Sequence, residues 1–211
     1  MENREMLSVG QHAKILVPAS TYNIQDDNRL LIPFTSGDKI GFANKNGVVV
    51  VEPTFTMYYG ECYDERDIIK VAVDHIYGFI RSGGDVATYK RPMYGLINSK
   101  GETLYEPLFY EIMPSIGKDK LYTVQNTERQ YAVLRMDGTE VVPFGKYHWI
   151  DGFDNGIARV NNGNKWGLIN EKGKEVLPLE YDQIWNFYDK KRISTRVVKD
   201  NVDYDVVFSE L

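Results

Sequence analysis

The chain has one cysteine, Cys62, only three histidines among its 211 residues, and no long apolar run. A single thiol excludes an internal disulfide framework and a thiolate metal cluster. His12, His75 and His148 lie far apart, none at a metal-ligand spacing from another or from Cys62, and they read as structural or surface residues. The strongest apolar run, Val48 to Val51, is far too short to cross a bilayer, and the opening MENREMLSVG has no signal-peptide h-region. The expectation is a cytoplasmic chain with no membrane insertion, or an exported one if a leader has been removed ahead of this numbering. A basic excess is missing too. Lys plus Arg number 25 against 30 Asp plus Glu, a net charge of −5, which argues against nucleic acid as a partner.

Catalytic patterns are equally scarce. Cys62 follows Glu61 and precedes Asp64, Glu65 and Asp67, whose charges oppose the thiolate a nucleophile needs. The same acidic run lacks the alternating ligands of a calcium loop and reads as a solvated loop. There is no G-x-S-x-G elbow, phosphate loop, Rossmann glycine pattern or zinc helix. The sequence therefore predicts no enzyme, no catalytic or metal-binding residue and no cofactor.

What is present is a repeat. Hydrophobic residues at 43% and charged residues at 26% suit a folded chain, and aromatics reach 13%, with 15 Tyr. Four segments align without gaps: Ile40–Gly47, Tyr94–Gly101, Tyr131–Gly138 and Trp166–Gly173. Each sets a small residue after an aromatic or Ile and closes on Gly six residues later. A Pro follows each one (Pro53, Pro107, Pro143, Pro178), then a Tyr (Tyr58, Tyr110, Tyr147, Tyr181), and Pro18 with Tyr22 form a fifth such element near the start. The Pro-to-Pro spacings are 35, 54, 36 and 35, so one unit carries an insertion.

Each unit reads as three strands: one bearing the Pro and Tyr, a short alternating one (LYTVQ at 121–125, IARVN at 157–161), and the aromatic–small strand. The expected fold is all-β, with about five tandem units of roughly 35 residues stacked as an open or curved array, a closed propeller-like ring being the alternative. A single domain spans 1–211, with units at about 12–47, 48–101, 102–138, 139–173 and 174–211 and a hairpin insertion at about 75–93. Asn44, Asn98 and Asn170, each three residues before a Gly, predict type I turns with the Gly at positive φ. Arg135 replaces that Asn in the third unit and should specify its turn less strongly. Pro should sit at a strand end or edge, and a mid-strand Gly such as Gly41, Gly95 or Gly167 should admit an aromatic ring from a neighbouring unit.

The run Lys165-Trp166-Gly167-Leu168-Ile169-Asn170, with Gly173, Pro178 and Tyr181, resembles the bacterial WG-repeat family, also called KWG repeats. The resemblance extends over nearly the whole chain. It departs at Ala132 and Asp205, where the family has Gly, and at Ile40, Tyr94 and Tyr131, where it has Trp. It implies a repeat module without a general enzymatic activity, and no catalytic residue carries over.

Aromatics that recur once per unit are expected to pack unit against unit. Those off the repeat frame, Tyr59, Tyr63, Tyr77, Phe79, Tyr89 and Trp185, have the composition of a binding patch. The insertion holds several of them, and Tyr77, Tyr89 and Arg91 are the candidate partner-binding residues. The functional expectation is a non-catalytic repeat module that holds a partner protein on an extended β surface. The alternative is a carbohydrate or cell-envelope binding module that uses repeated Tyr and Trp as stacking platforms.

Overall fold

The computed structural model describes residues 7–9, 13–15, 28–61, 67–115, 120–186 and 194–207. His12, the Pro18–Tyr22 element, Cys62 and Tyr63 lie outside them. Every regular element among the described residues is a strand, and no helix is long and apolar enough to cross a membrane. The protein is all-β and built of small antiparallel sheets, none of which closes into a barrel. Contacts divide the chain into two compact units, Met1–Leu108 and Phe109–Leu211.

The first unit opens with a hairpin of β1 (Leu7–Val9) and β2 (Ala13–Ile15). A three-stranded sheet follows, made of β3 (Ile32–Ser36), β4 (Lys39–Ala43) and β5 (Val49–Phe55). Next comes a four-stranded sheet of β6 (Met57–Tyr59), β7 (Ile68–Ile80), β8 (Val86–Asn98) and β9 (Thr103–Phe109). The core of this unit lies between the two sheets. Phe42 and Phe55 from one side meet Ile69, Val71 and Ile97 from the other.

In the second unit β10 (Glu111–Pro114), β11 (Leu121–Gln125), β12 (Tyr131–Arg135) and β13 (Glu140–Val142) form one sheet. Another contains β14 (Trp149–Ile150), β15 (Ile157–Asn161), β16 (Trp166–Asn170) and β17 (Glu175–Tyr181). The last has β18 (Gln183–Ile184), β19 (Ser194–Lys199) and β20 (Val202–Val207). All sheets are meanders in chain order.

The Pro–Tyr segment expected as one strand is two strands in two sheets. EVLPLEY, as β17, pairs backward with β16, whereas Gln183–Ile184, as β18, pairs forward with β19. The turn ahead of the segment forces the backward half. Gly173 N–H donates to Asn170 C=O at 2.8 Å, and Asn170 Oδ1 accepts from the N–H of Lys172 and Lys174 at 3.0 and 3.1 Å. Asn44 and Asn98 bind their turns in the same way. Where Arg135 takes the Asn position, Asp137 Oδ1 accepts from Thr139 N–H at 2.9 Å and partly replaces the lost bond.

The mid-strand glycines admit a backbone, which corrects the expectation of a neighbouring aromatic ring. A Cβ on Gly167 would lie 2.8 Å from Leu177 O and 3.1 Å from both Pro178 C and Leu179 N. On Gly95 it would meet Tyr105 O, with Pro107 N at 2.8 Å. Gly41 faces Val51 O and Pro53 N in the same way, with the Phe34 ring from its own sheet also close. The register explains the pairing of motifs. Trp166 pairs with Tyr181 and Leu168 with Leu177, so the Pro strand carries two extra residues across from the single Gly167. Ile40–Phe55 and Phe42–Val51 repeat the pattern around Gly41. The bulged strand rides over the glycine, and its Pro needs no ladder partner at an outer strand.

The third unit is the internal control. It has Ala132, fully buried, where three others have Gly41, Gly95 and Gly167, and the strand that leads to Pro143 stops at Val142. β13 is 3 residues long, while β5, β9 and β17 have 7 each. Past Pro143 the chain still returns to this strand, where Gly145 N–H donates to Tyr131 C=O at 3.2 Å. In the last repeat Asp205 replaces the Gly on β20, beside which the described residues place no fourth strand.

Polar ties join successive sheets of the second unit. Thr123 Oγ1 on β11 donates to Asp151 C=O at 2.9 Å, and Arg159 Nη1 on β15 donates to Ile184 C=O at 2.8 Å. Tyr131 and Tyr147, repeat aromatics, are buried with Phe153, Val160 and Ile169. Tyr147 donates its hydroxyl to Glu175 Oε1 at 3.3 Å. Burial first, and then the Glu175 charge, pushes the Tyr147 pKa up to about 12. Trp166 and Tyr181 pack on Leu168, Ile184 and Val197. The repeat aromatics of this unit thus serve packing, as expected of residues that recur once per unit.

Candidate functional site

The insertion lengthens β7 and β8 to 13 residues each. They pair without a break from Ile68–Asn98 to Ile80–Val86. Arg81 N–H donates to Asp85 C=O at 2.9 Å and Gly84 N–H to Arg81 C=O at 2.8 Å, and Gly84 adopts φ 87. That closure is a tight turn with glycine at its left-handed position. Residues 75–93 are therefore a hairpin arm continuous with the repeat strands, and the IYGFIRSGG stretch forms part of its first strand and its turn.

Period-2 alternation divides the arm into two faces. Val73, His75, Tyr77 and Phe79 pair with Met93, Arg91, Tyr89 and Ala87 on the face that continues the core side of the sheet. Here Tyr77 and Tyr89 stack with centroids 5.3 Å apart and planes at 21°, and Phe79 tilts against Tyr89 at 6.2 Å. Tyr77 Oη donates to Met93 Sδ at 3.4 Å, which anchors the stack to the buried end of the strand. The structure thus brings Tyr77, Tyr89 and Arg91 to one face, with Arg91 across from His75. Tyr89 is 47% exposed, and Arg91 and Tyr77 are half-buried. Such a face offers a rigid aromatic surface with a guanidinium at its base, a combination suited to a peptide's apolar side chains and carbonyl groups.

The opposite face holds residues that the sequence reading passed over. Ile76, Ile80 and Val86 are 68%, 76% and 73% exposed. Their signal was available, since they alternate with Tyr77 and Phe79 on the same strands, but an aliphatic residue in a β pattern reads as core until its cover is known.

A second cluster lies in the Phe109–Leu211 unit. Trp149 is 41% exposed and tilts against Tyr131 with centroids 4.9 Å apart. Its indole N–H donates to Asp151 Oδ1 at 2.6 Å, and Arg159 Nε donates to Asp151 Oδ2 at 2.5 Å. The Arg159 guanidinium lies over the Trp166 ring at 5.6 Å. Trp149 falls outside the repeat frame, and four strands, β12, β14, β15 and β16, contribute to the cluster, so no local spacing announces it. Among the off-frame aromatics, Trp185 is exposed, and Tyr59 is tilted against Tyr94 with Lys70 Nζ over both rings. Among the described residues no group of His, Cys, Asp and Glu could hold a metal ion.

A family model described as "WG containing repeat" matches the chain three times in succession, over residues 94–126, 135–166 and 166–201. The arm, residues 75–93, lies wholly ahead of the first of these matches. The curated proteins compared with the chain include no match.

Proposed function

Because the chain belongs to the WG-repeat family, we propose that it is a non-catalytic repeat module and that it holds a partner protein on the aromatic face of its arm. One observation carries the reading. The arm prolongs a packed sheet by a two-stranded ribbon that bears Tyr77, Phe79, Tyr89 and Arg91 beyond the core to which that face belongs. A ribbon of two strands gains little stability of its own, so stacked aromatics at this place serve contact better than folding.

Truncating hot-spot residues tests it. Tyr89→Ala and Arg91→Ala should each weaken partner capture at least about thirtyfold, the equivalent of roughly 2 kcal/mol, with unchanged melting. Crosslinking from a photoreactive residue at position 89 identifies the partner. Undiminished capture by both variants would remove the arm from the binding surface.

A second reading draws on the Trp149 cluster. An exposed indole with its N–H held by Asp151 and a guanidinium alongside suits a sugar ring and its hydroxyl groups. Retention on insoluble polysaccharide, abolished by Trp149→Ala and unaffected by Tyr89→Ala, would favour carbohydrate binding over the protein partner.

A further inference from the structure

The arm also has two backbone edges, and they differ. Ala72 C=O accepts from Thr56 N–H at 2.8 Å, on the side of β7 away from β8. Arg81 N–H, by contrast, points across to Asp85. Backbone groups alternate direction along a strand, so the even-numbered residues of β7 address the outer edge. β6 covers that edge only as far as the Met57–Ala72 pair. Beyond it, no strand among the described residues pairs with the outward N–H and C=O groups of Asp74, Ile76, Gly78 and Ile80. On β8 the outward residues of the arm are Val86, Thr88, Lys90 and Pro92. Pro92 has no N–H to offer and Lys90 is exposed and charged, two devices that protect an edge. The β7 edge has no proline, and its one formal charge between residues 74 and 80 is the half-buried Asp74 at the base of the arm.

We propose that this edge is occupied by a second copy of the same chain, β7 against β7, antiparallel and centred on Tyr77. Four features of the segment fit a two-fold pairing in this register. Asp74 faces Ile80 of the second copy and Ile76 faces Gly78, so all four outward residues meet outward residues and no like charges are opposed. Gly78 has nothing within 4 Å of where a Cβ would lie, which leaves room for the facing Ile76. The two Ile76 side chains become diagonal neighbours and cover each other, although each is 68% exposed in the single chain. On the other face the stacked Tyr77 and Tyr89 meet their counterparts to form a row of four tyrosines, and Phe79 sits beside His75 and Arg91 of the other copy. The result is a four-stranded sheet whose outer strands are the two protected β8 edges, in place of two ribbons that are each marginal in water. A seven-residue edge is smaller than a standard interface of about 1,600 Å², so the dimer should dissociate in the micromolar range. It leaves the aromatic face open and is independent of the partner reading above.

Sedimentation velocity of the purified full chain over a concentration series tests the proposal. The expected result is a monomer–dimer equilibrium that Ile76→Pro weakens at least tenfold. The Ile76 N–H points outward, so this substitution removes an edge donor and no β7–β8 bond. Thr88→Pro, the equivalent change at the β8 edge, should leave the dimer intact. In a Cys62→Ser background, Tyr77→Cys should form an interchain disulfide on mild oxidation, because the backbone of residue 77 points toward β8 and the facing pair is the closely spaced kind, with Cα atoms about 4.5 Å apart and within disulfide reach. His75→Cys, which faces Phe79, should not. A monomer at all concentrations, a dimer indifferent to Ile76→Pro, or crosslinking at position 75 in preference to 77 would each overturn the proposal. The Tyr77→Cys and wild-type measurements remain decisive should Ile76→Pro fail to fold.

Discussion

Gly167 lies under the backbone of Pro178, so close that a Cβ on the glycine would sit 3.1 Å from the proline carbonyl carbon. The contact links the two residues that mark each repeat most clearly. The glycine is small so that a bulged strand can pass over it, and the bulged strand tolerates proline because it is the outer strand of its sheet. In the one repeat with Ala132 at this place, the facing strand β13 ends at Val142, before its proline.

Gly167→Ala should therefore cost about 1–3 kcal/mol, the usual range for overpacking. Gly83→Ala, in the arm turn where a Cβ meets nothing within 4 Å, should stay within about 0.5 kcal/mol of wild type. Urea denaturation of both variants checks the contrast. Equal stabilities would mean that the bulge does not press on the glycine.

Tyr147 makes stability depend on pH at the alkaline end. Its folded pKa stands near 12, above the ordinary value of 10.0, because burial and Glu175 favour the neutral phenol. The folded state thus keeps a proton that the unfolded state loses. This contribution is complete below pH 10 and declines as the pH rises toward 12. Tyr147→Phe should flatten that part of the stability profile relative to wild type, as measured by melting at pH steps with tyrosinate absorbance as a second probe. Parallel profiles would contradict the assignment.

Thr123 ties two sheets through its hydroxyl, which bonds Asp151 C=O from a buried position. Thr123→Val keeps the shape and leaves that carbonyl without its donor, at a cost of about 1–3 kcal/mol. Thr123→Ser restores the hydroxyl and should recover most of the hydrogen-bond loss. A valine variant as stable as wild type would show that the carbonyl finds water instead.

The arm should be dispensable for folding. Replacing residues 74–92 with an Asn-Gly turn retains the Val73–Met93 pair, whose backbone groups face each other, and closes a hairpin with favoured chemistry. Stability should remain within about 1 kcal/mol, because loop closure depends only weakly on length. A collapse of the fold would make the arm part of the core.

The repeat, the strand class and the turns could be read from the chain because their causes are local. LYTVQ and IARVN match β11 and β15 to the residue, since alternation with β-branched residues specifies an extended strand wherever it lies. Asn three residues before Gly predicts its turn, since the three bonds that Asn170 accepts there all form within five residues. The arm was legible as an insertion with its own glycine turn, and so was the placing of Tyr77, Tyr89 and Arg91 on a single hairpin.

Only the tertiary structure decided the rest, because partners distant in sequence decide it. The apolar positions Leu177, Leu179 and Tyr181 give way to Ile184, a shift of one residue at Asp182 that a β-bulge would also produce, so the change of sheet there is decided by the partners β16 and β19. The occupant of the glycine space comes from another strand and is a backbone, which carries no residue signature. Asp151 meets Trp149 on its own segment but Arg159 from the next strand, and Arg159 reaches on to Ile184. Ile76, Ile80 and Val86 have the same pattern as core residues. They are exposed because the strands that carry them continue past the sheet that would have covered them.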